Sequence, residues 1–263
     1  MARYDGKFLS GVTGPVNFRP YRGQQLVQIK AQHIKHTEAT KKCSATFGKS
    51  GQFASSIRMK FSFIMHGRQD GELYNRLNSR VALILDSTRN RDNGEYDFME
   101  DSFDLLLGLD FTVGSPIINT LRIIPKWVYL DNQLTVSLRR FKIPEQLKFP
   151  KEAGSCQITF CTLLYNLEKG TTAVFPEEHS ITLNQYDEWS EVQEFSFHVP
   201  DGTLALTGIF LDFYDLSRDF KLLYNTKKWY PASICAAVMA PGEFKEDPER
   251  RFLNMNVGVA KSS

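Results

Sequence analysis

Eight residues in the first quarter of the chain, Cys43-Ser-Ala-Thr-Phe-Gly48-Lys49-Ser50, have the spacing of a phosphate loop except at their first position. In such a loop that position is a glycine ending a strand, so that backbone N–H groups can wrap a phosphate while the lysine reaches its outer oxygens. Here Cys43 stands there and the residues before it begin a helix. The pattern therefore predicts a helix face of small residues, Ser44, Gly48, Gly51 and Ser55, packed against another backbone.

Other residues capable of chemistry lack the company they need. His33 and His36 put two imidazoles three positions apart, but a metal would require one or two further ligands and none stands nearby. The acids Asp92, Glu95, Asp97, Glu100, Asp101 and Asp104 lack the ordered alternation and turn glycine of a calcium loop and read as a solvated acidic stretch. Asp212, Asp215 and Asp219 follow a strand pattern as loop acids with no acid–base partner set by spacing. Cys43, Cys156, Cys161 and Cys235 show no CxxC pair and predict reduced, buried thiols. GxSxG and HExxH are absent. We expect no catalytic residue, no metal site and no cofactor.

One pattern does suggest a ligand. Arg19, Arg22, Lys30, Lys35, Lys41, Lys42 and Lys49 are interleaved with Phe18, Tyr21 and Phe47, a combination that neutralises phosphates and stacks on bases. The charge is unevenly shared along the chain. Residues 1–90 carry 15 Lys or Arg against 5 Asp or Glu, and the remainder 17 against 25, which leaves a net charge of +2. A basic front on an acidic body suits nucleic acid, an acidic surface, or the acidic part of another copy.

The elements that must carry these residues change in texture along the chain. From Gly6 to Ile29, glycines separate short apolar or alternating pieces, Phe8-Leu9, Val16-Asn17-Phe18 and Leu26-Val27-Gln28-Ile29. They predict two or three short strands with a turn at Arg22-Gly23. Such a ribbon has little core of its own, so it must pair with the body of its own chain or with the sheet edge of a neighbour. Thr37 followed by Glu38 is a helix start, and Phe47, Ala54, Ile57, Phe61 and Ile64 mark one face up to a stop at His66-Gly67. Gly48 and Gly51 predict either a break or a close approach of another backbone. Leu73, Leu77, Val81, Ile84 and Leu85 give a second helix, and the outer faces of this helical hairpin are expected to carry Arg58, Lys60, Arg76 and Arg80.

Beyond the acidic stretch 95–104, which we expect to hold a domain boundary, period-two alternation predicts strands. These are Leu121–Ile124, Trp127–Leu130 turning at Asp131-Asn132 into Leu134–Leu138, Ile158–Tyr165, Thr171–Phe175, Val192–Val199, Leu204–Tyr214 and Ser233–Met239. A last extended piece, Phe252–Ala260, could cap a sheet. The expected organisation is thus α+β: an arm over 1–36, a helical hairpin over 37–95, an antiparallel β-sandwich over 96–242 and a tail over 243–263. The opening residues lack the apolar core of a secretory leader, and no apolar run is long enough to span a bilayer, so we expect a protein made in soluble form in the cytoplasm.

The arm and first helix also resemble uncharacterised proteins of the Bacteroidota. The likeness rests on Met1-Ala2-Arg3, Gly6, Gly14-Pro15-Val16-Asn17-Phe18, Thr37-Glu38-Ala39-Thr40, Phe47-Gly48 and Ile57-Arg58. It implies a bacterial or bacteriophage origin and brings no catalytic residues with it.

The arm, the charge polarity and the β-rich body together lead us to expect a non-enzymatic structural subunit that self-assembles as a filament, virion component or similar lattice. Its interface is expected to include Phe8, Val16, Phe18, Arg19, Arg22, Leu26, Ile29, Lys41 and Lys42. The alternative is a nucleic-acid-binding protein using the same basic region.

Overall fold

The computed structural model describes residues 2–30, 37–215, 222–224, 226, 228–245 and 250–255. His33, Lys35, His36 and Asp219 lie outside the described residues, as do 256–260 of the expected last strand. The chain forms two compact units, 1–44 and 45–263. Its helices and large antiparallel sheets make it an α+β protein with a sandwich-like body.

The first unit contains β1 (Arg3–Tyr4), β2 (Leu9–Thr13), β3 (Val16–Tyr21) and β4 (Gln24–Ile29), joined in that order as one antiparallel sheet. Helix α1 (Glu38–Ile64) begins directly after Thr37 and runs for 27 residues without a break. Gly48 meets nothing within contact distance of an added Cβ, and Gly51 faces the Tyr74 hydroxyl and Asn78 side chain, not a backbone. The expected small-residue packing face is therefore absent. Ser44 and Gly48 are exposed, while Gly51 and Ser55 are half-buried.

Within the second unit, α1 buries Phe53, Ala54, Ile57 and Phe61, and Met65 just after it is buried too. Phe47, expected on this face, is 62% exposed, and the buried apolar stripe begins six residues later at Phe53. The helix closes with the Gly67 N–H on the Ser62 carbonyl and the His66 N–H on the Phe63 carbonyl, a Schellman arrangement that places His66 at φ +48. Helix α2 (Leu73–Ser87) buries all five residues of its expected stripe, Leu73, Leu77, Val81, Ile84 and Leu85.

The remaining elements are β5 (Lys126–Leu130), β6 (Gln133–Leu138), α3 (Ile143–Gln146), β7 (Ser155–Asn166), β8 (Thr171–Ala173), β9 (Glu177–Asn184), β10 (Gln193–His198), β11 (Leu204–Asp215), β12 (Leu222–Leu223), β13 (Ala232–Met239) and β14 (Phe252–Asn254). Long antiparallel strands β7 and β11 form the middle of a seven-stranded sheet, with β12 and β13 beside β11, β8 and β9 beside β7, and β14 beside β8. A second sheet has the order β10-β6-β5. Its β5–β6 turn is the expected one, with Asp131 at φ +49 and Asn132 at φ +61, the doubly left-handed pair of a two-residue hairpin.

The large sheet separates two cores, and its middle strands are buried on both faces. Along β11, Leu204, Leu206 and Phe210 enter the core shared with the helices, while Ala205, Ile209, Leu211 and Phe213 enter the core shared with the small sheet. Strand β7 divides likewise, with Cys161, Leu163 and Tyr165 on the helix side and Ile158, Phe160 and Leu164 on the other. In β13 the register shifts so that Thr207 faces Ala236 and Gly208 faces Ile234, which leaves Cys235 as the extra residue. That bulge switches the alternation: Ala232 and Ile234 before it and Ala237 after it all reach the helix-side core.

Three expectations need correction. Leu121–Ile124 forms no strand; it makes one bridge, Leu121 to Leu147, and Pro125 stands directly after it, ahead of β5. Strand β9 lies outside the expected set, because the opening Glu177-Glu178-His179-Ser180 hides the alternation of Ile181 and Leu183. The stretch 95–104 lies inside the second unit: Tyr96 and Phe98 pack on the helix-side core, stacked on one another at 5.8 Å, and Phe103 is buried within it. Cys156, Cys161 and Cys235 are free, and burial pushes all three thiols up from the ordinary cysteine range. No described helix is long and apolar enough to cross a membrane.

Candidate assembly interface

The arm is built by turn chemistry. Gly14-Pro15 joins β2 to β3 as a two-residue loop, with Gly14 at φ +57. Arg22-Gly23 joins β3 to β4 in the same way, at φ +49 and +79. The left-handed requirement at Arg22 is met by a non-glycine residue whose guanidinium lies 5.4 Å from the Tyr21 ring centroid. Arg19 approaches the same ring at 6.0 Å.

Register sorts the arm's side chains onto two faces. Val16 stands opposite Ile29 and Phe18 opposite Val27, and by alternation Leu9, Val16, Phe18, Val27 and Ile29 share one face. Arg19 stands opposite Leu26 on the other face, with Val12 and Tyr21. Of the expected interface residues, the fold thus gathers Val16, Phe18 and Ile29 and sets Arg19 and Leu26 behind them. Arg22 sits in the turn. Phe8 sits before β2 in a turn where the Asp5 carboxylate accepts the N–H groups of Phe8 and Lys7 at 2.7 and 3.0 Å. Those two N–H groups, Phe8 first, hold the Asp5 carboxyl below its usual range. Lys41 and Lys42 lie on α1, and their side chains are outside the described atoms.

Leu9 and Val27 complete the apolar face, and residue type alone does not pick them out. The available signal is counting outward from each two-residue turn, which pairs Phe18 with Val27 and continues the β2–β3 register to Leu9 and Pro20. Pro20 has no N–H, so it cannot close that next pair. The side chain of Gln25, opposite Pro20 on β4, does so instead. Its Oε1 accepts the Leu9 N–H at 2.7 Å and its Nε2 donates to the Leu9 carbonyl at 2.9 Å.

No described residue from 2 to 30 is buried. On the apolar face Leu9, Val27 and Ile29 are exposed, Ile29 at 83%, and Val16 and Phe18 are half-buried. Among the described residues no strand pairs with the outer side of β4. The Lys30 N–H bonds the Pro15 carbonyl, which fixes the phase of the β3–β4 ladder. Gln24, Leu26 and Gln28 therefore turn their backbone groups toward β3, and Gln25, Val27 and Ile29 turn theirs outward.

The helical cations expected on a solvated face are used inside the second unit. Lys60 donates to the Ala173 carbonyl, and burial pulls its ammonium pKa down. Arg76 pairs with Asp70 at 2.8 Å and donates to the Asp110 carbonyl. Arg80 donates to the carbonyls of Leu105 and Leu107, and Arg58 lies over the Tyr74 ring. Lys49 lies 5.3 Å from the Tyr96 ring centroid. Much of the basic surplus beyond the arm thus fastens α1 and α2 to their surroundings.

A cleft lined by titratable groups lies at the end of α1 in the second unit. Its volume is about 620 Å³, and its lining includes Lys60, His66, Glu178 and Asp212 together with Phe63 and Phe175. Among the described residues no three His, Cys, Asp or Glu side chains are grouped to hold a metal ion. Compared with protein-family profiles, with curated proteins and with solved structures, the chain matches none.

Proposed function

We propose that this chain is a structural subunit that self-assembles through its arm into a filament, virion component or similar lattice. The observation that carries the reading is a four-stranded, in-register sheet without a single buried described residue. A small sheet with both faces wet cannot offset the conformational entropy of ordering its strands, so a partner surface must complete it. Its exposed face of Leu9, Val27 and Ile29 and its uncharged outer edge both suit another protein surface. Arg19, Arg22 and Lys30 on the arm, set against the acidic excess after residue 90, would orient one copy on the next. The bacterial or phage origin implied by the arm's resemblance is in keeping with such a role.

The test is particle size. The full chain is expected to form large species in sizing chromatography and ordered particles in negative-stain microscopy at low salt. Replacing Val27 and Ile29 together by Lys should return it to monomers. A full chain that stays monomeric at high concentration and low salt overturns the reading.

A second reading has its own observation, the exposed Tyr21 flanked by the guanidinium groups of Arg19 and Arg22. This cluster offers a base-stacking ring beside phosphate-neutralising charge. Single-stranded nucleic acid should then bind with steep salt dependence and weaken on Arg19→Ala and Arg22→Ala. The absence of binding at about 50 mM salt removes it.

A further inference from the structure

We infer that the acceptor for the arm is the outer edge of β9, which takes β4 of a second copy as an added strand of the seven-stranded sheet. This rests on the assembly reading and names the surface that it uses. Two strand edges that no described strand covers point to this, one in each unit.

Natural sheets guard their edges with Pro, Lys, bulges or covering loops. Strand β4, Gln-Gln-Leu-Val-Gln-Ile, contains no charge, no Pro and no Gly, and presents the backbone of Gln25, Val27 and Ile29 outward. Strand β9 pairs with β7 over eight consecutive positions without a bulge, and among the described residues no strand pairs with its other side. It too lacks Pro, Gly and Lys.

Other long edges of the body differ. The outer side of β13 is covered, since Gly108, Phe111 and Met239 N–H groups bond the carbonyls of Ile234, Ala232 and Glu100. Strand β5 is shorter and carries Lys126. Strand β10 has six residues against the eight of β9 and lacks an acidic pair at its start.

Charge and apolar surface favour the same edge. β9 opens with Glu177, which pairs with Arg250 at 2.7 Å, and Glu178, and β4 is flanked by Arg22 at one end and Lys30 at the other, so either strand direction brings a cation toward Glu178. Glu178 also lines the cleft that Phe63 and Phe175 border, and those rings are 77% and 83% exposed. A strand added beside β9 would bring apolar side chains such as Val27 and Ile29 to the rings.

Hydrogen exchange of the full chain, read by peptide across a concentration series, tests this. As assembly proceeds, protection should rise in peptides covering 24–29 and 177–184, and stay level in 126–130 and 193–198. Val27→Pro removes an outward N–H while leaving the β3 ladder intact; it should abolish both assembly and the gain over 177–184. Assembly with no gain over 177–184, or assembly by Val27→Pro as by the unaltered chain, overturns the acceptor and leaves the assembly reading standing. Protection of both segments at every dilution in a monomer overturns the second copy as occupant. A chain that never assembles overturns both proposals together.

Discussion

The arm and the body are both antiparallel sheets turned by two-residue loops with left-handed residues, Arg22-Gly23 in one and Asp131-Asn132 in the other, yet they differ in what holds them. In the body, Phe61, Phe111 and Phe210 meet with ring centroids 5.2 to 5.8 Å apart between helix and sheet. In the arm the nearest counterpart, Phe18 opposite Val27, has a wet face. Hairpin geometry alone therefore does not make a core. What separates the regions is a buried second layer, which the body supplies and which the described residues of the arm do not.

The largest effects should come from breaking the body's layers. Phe61 is 1% exposed, and Phe61→Ala should cost roughly 3–5 kcal/mol in denaturant unfolding through lost burial and the cavity left behind. Phe18→Ala in the arm should change the same transition by less than about 0.5 kcal/mol, as for an ordinary surface substitution. Equal losses at the two positions would break the contrast.

Next in size is the polar junction at the start of α2. The Asp70 carboxylate accepts the N–H groups of Glu72, Leu73 and Val113 at 2.9, 2.7 and 2.8 Å and pairs with Arg76. Burial alone would raise its pKa, but the Val113 N–H and Arg76, with Leu73, outweigh burial and hold the carboxyl below its ordinary value of 3.8. Its stabilisation is therefore present above that value and lost as pH falls through the folded one. Asp70→Ala should cost about 2 kcal/mol at neutral pH and flatten the acid side of the stability profile. Thermal unfolding across a pH series reads both effects.

Much of the fold was legible because the hydrophobic periods are strong where one face meets one core. The five apolar positions of α2 and the turns at Arg22-Gly23 and Asp131-Asn132 come directly from residue spacing. Period failed where burial is two-sided or polar. Strand β11 follows from its alternation, with Ile209, Leu211 and Phe213 on one face, but apolar residues on both faces leave open which face meets the helices. The bulge at Cys235 leaves no composition signal, and β9 begins with two glutamates. On the arm's apolar face, Val16, Phe18 and Ile29 follow from residue type, whereas placing Leu9 and Val27 there in place of Phe8 and Leu26 requires the register.

A smaller effect should arise at the end of α1. His66 occupies the left-handed position of the helix cap, where a side chain is strained and glycine is not. His66→Gly should raise the unfolding midpoint by an amount worth about 1 kcal/mol at most, because glycine also frees the unfolded chain. A loss of stability would mean that the imidazole makes a compensating contact in the cleft.

The smallest global effect, and the sharpest local one, belongs to Gln25. The residue is exposed, so Gln25→Ala should leave the body's unfolding transition unchanged. Yet its side chain makes two hydrogen bonds to the Leu9 backbone, one to the N–H and one to the carbonyl, at the position opposite Pro20. Without it the Leu9 N–H loses its acceptor and the Leu9 carbonyl its donor, and Pro20 has no N–H with which to rebuild the pair. The Leu9 amide should then exchange as an open amide. The Leu26 amide, which faces β3, should keep its protection, and that of Val27, which already points outward, should not change. Amide exchange followed residue by residue by NMR separates the three. If Leu9 stays protected in Gln25→Ala, β2 holds to β3 without the amide bridge, and the arm is a sturdier sheet than its lack of a core implies.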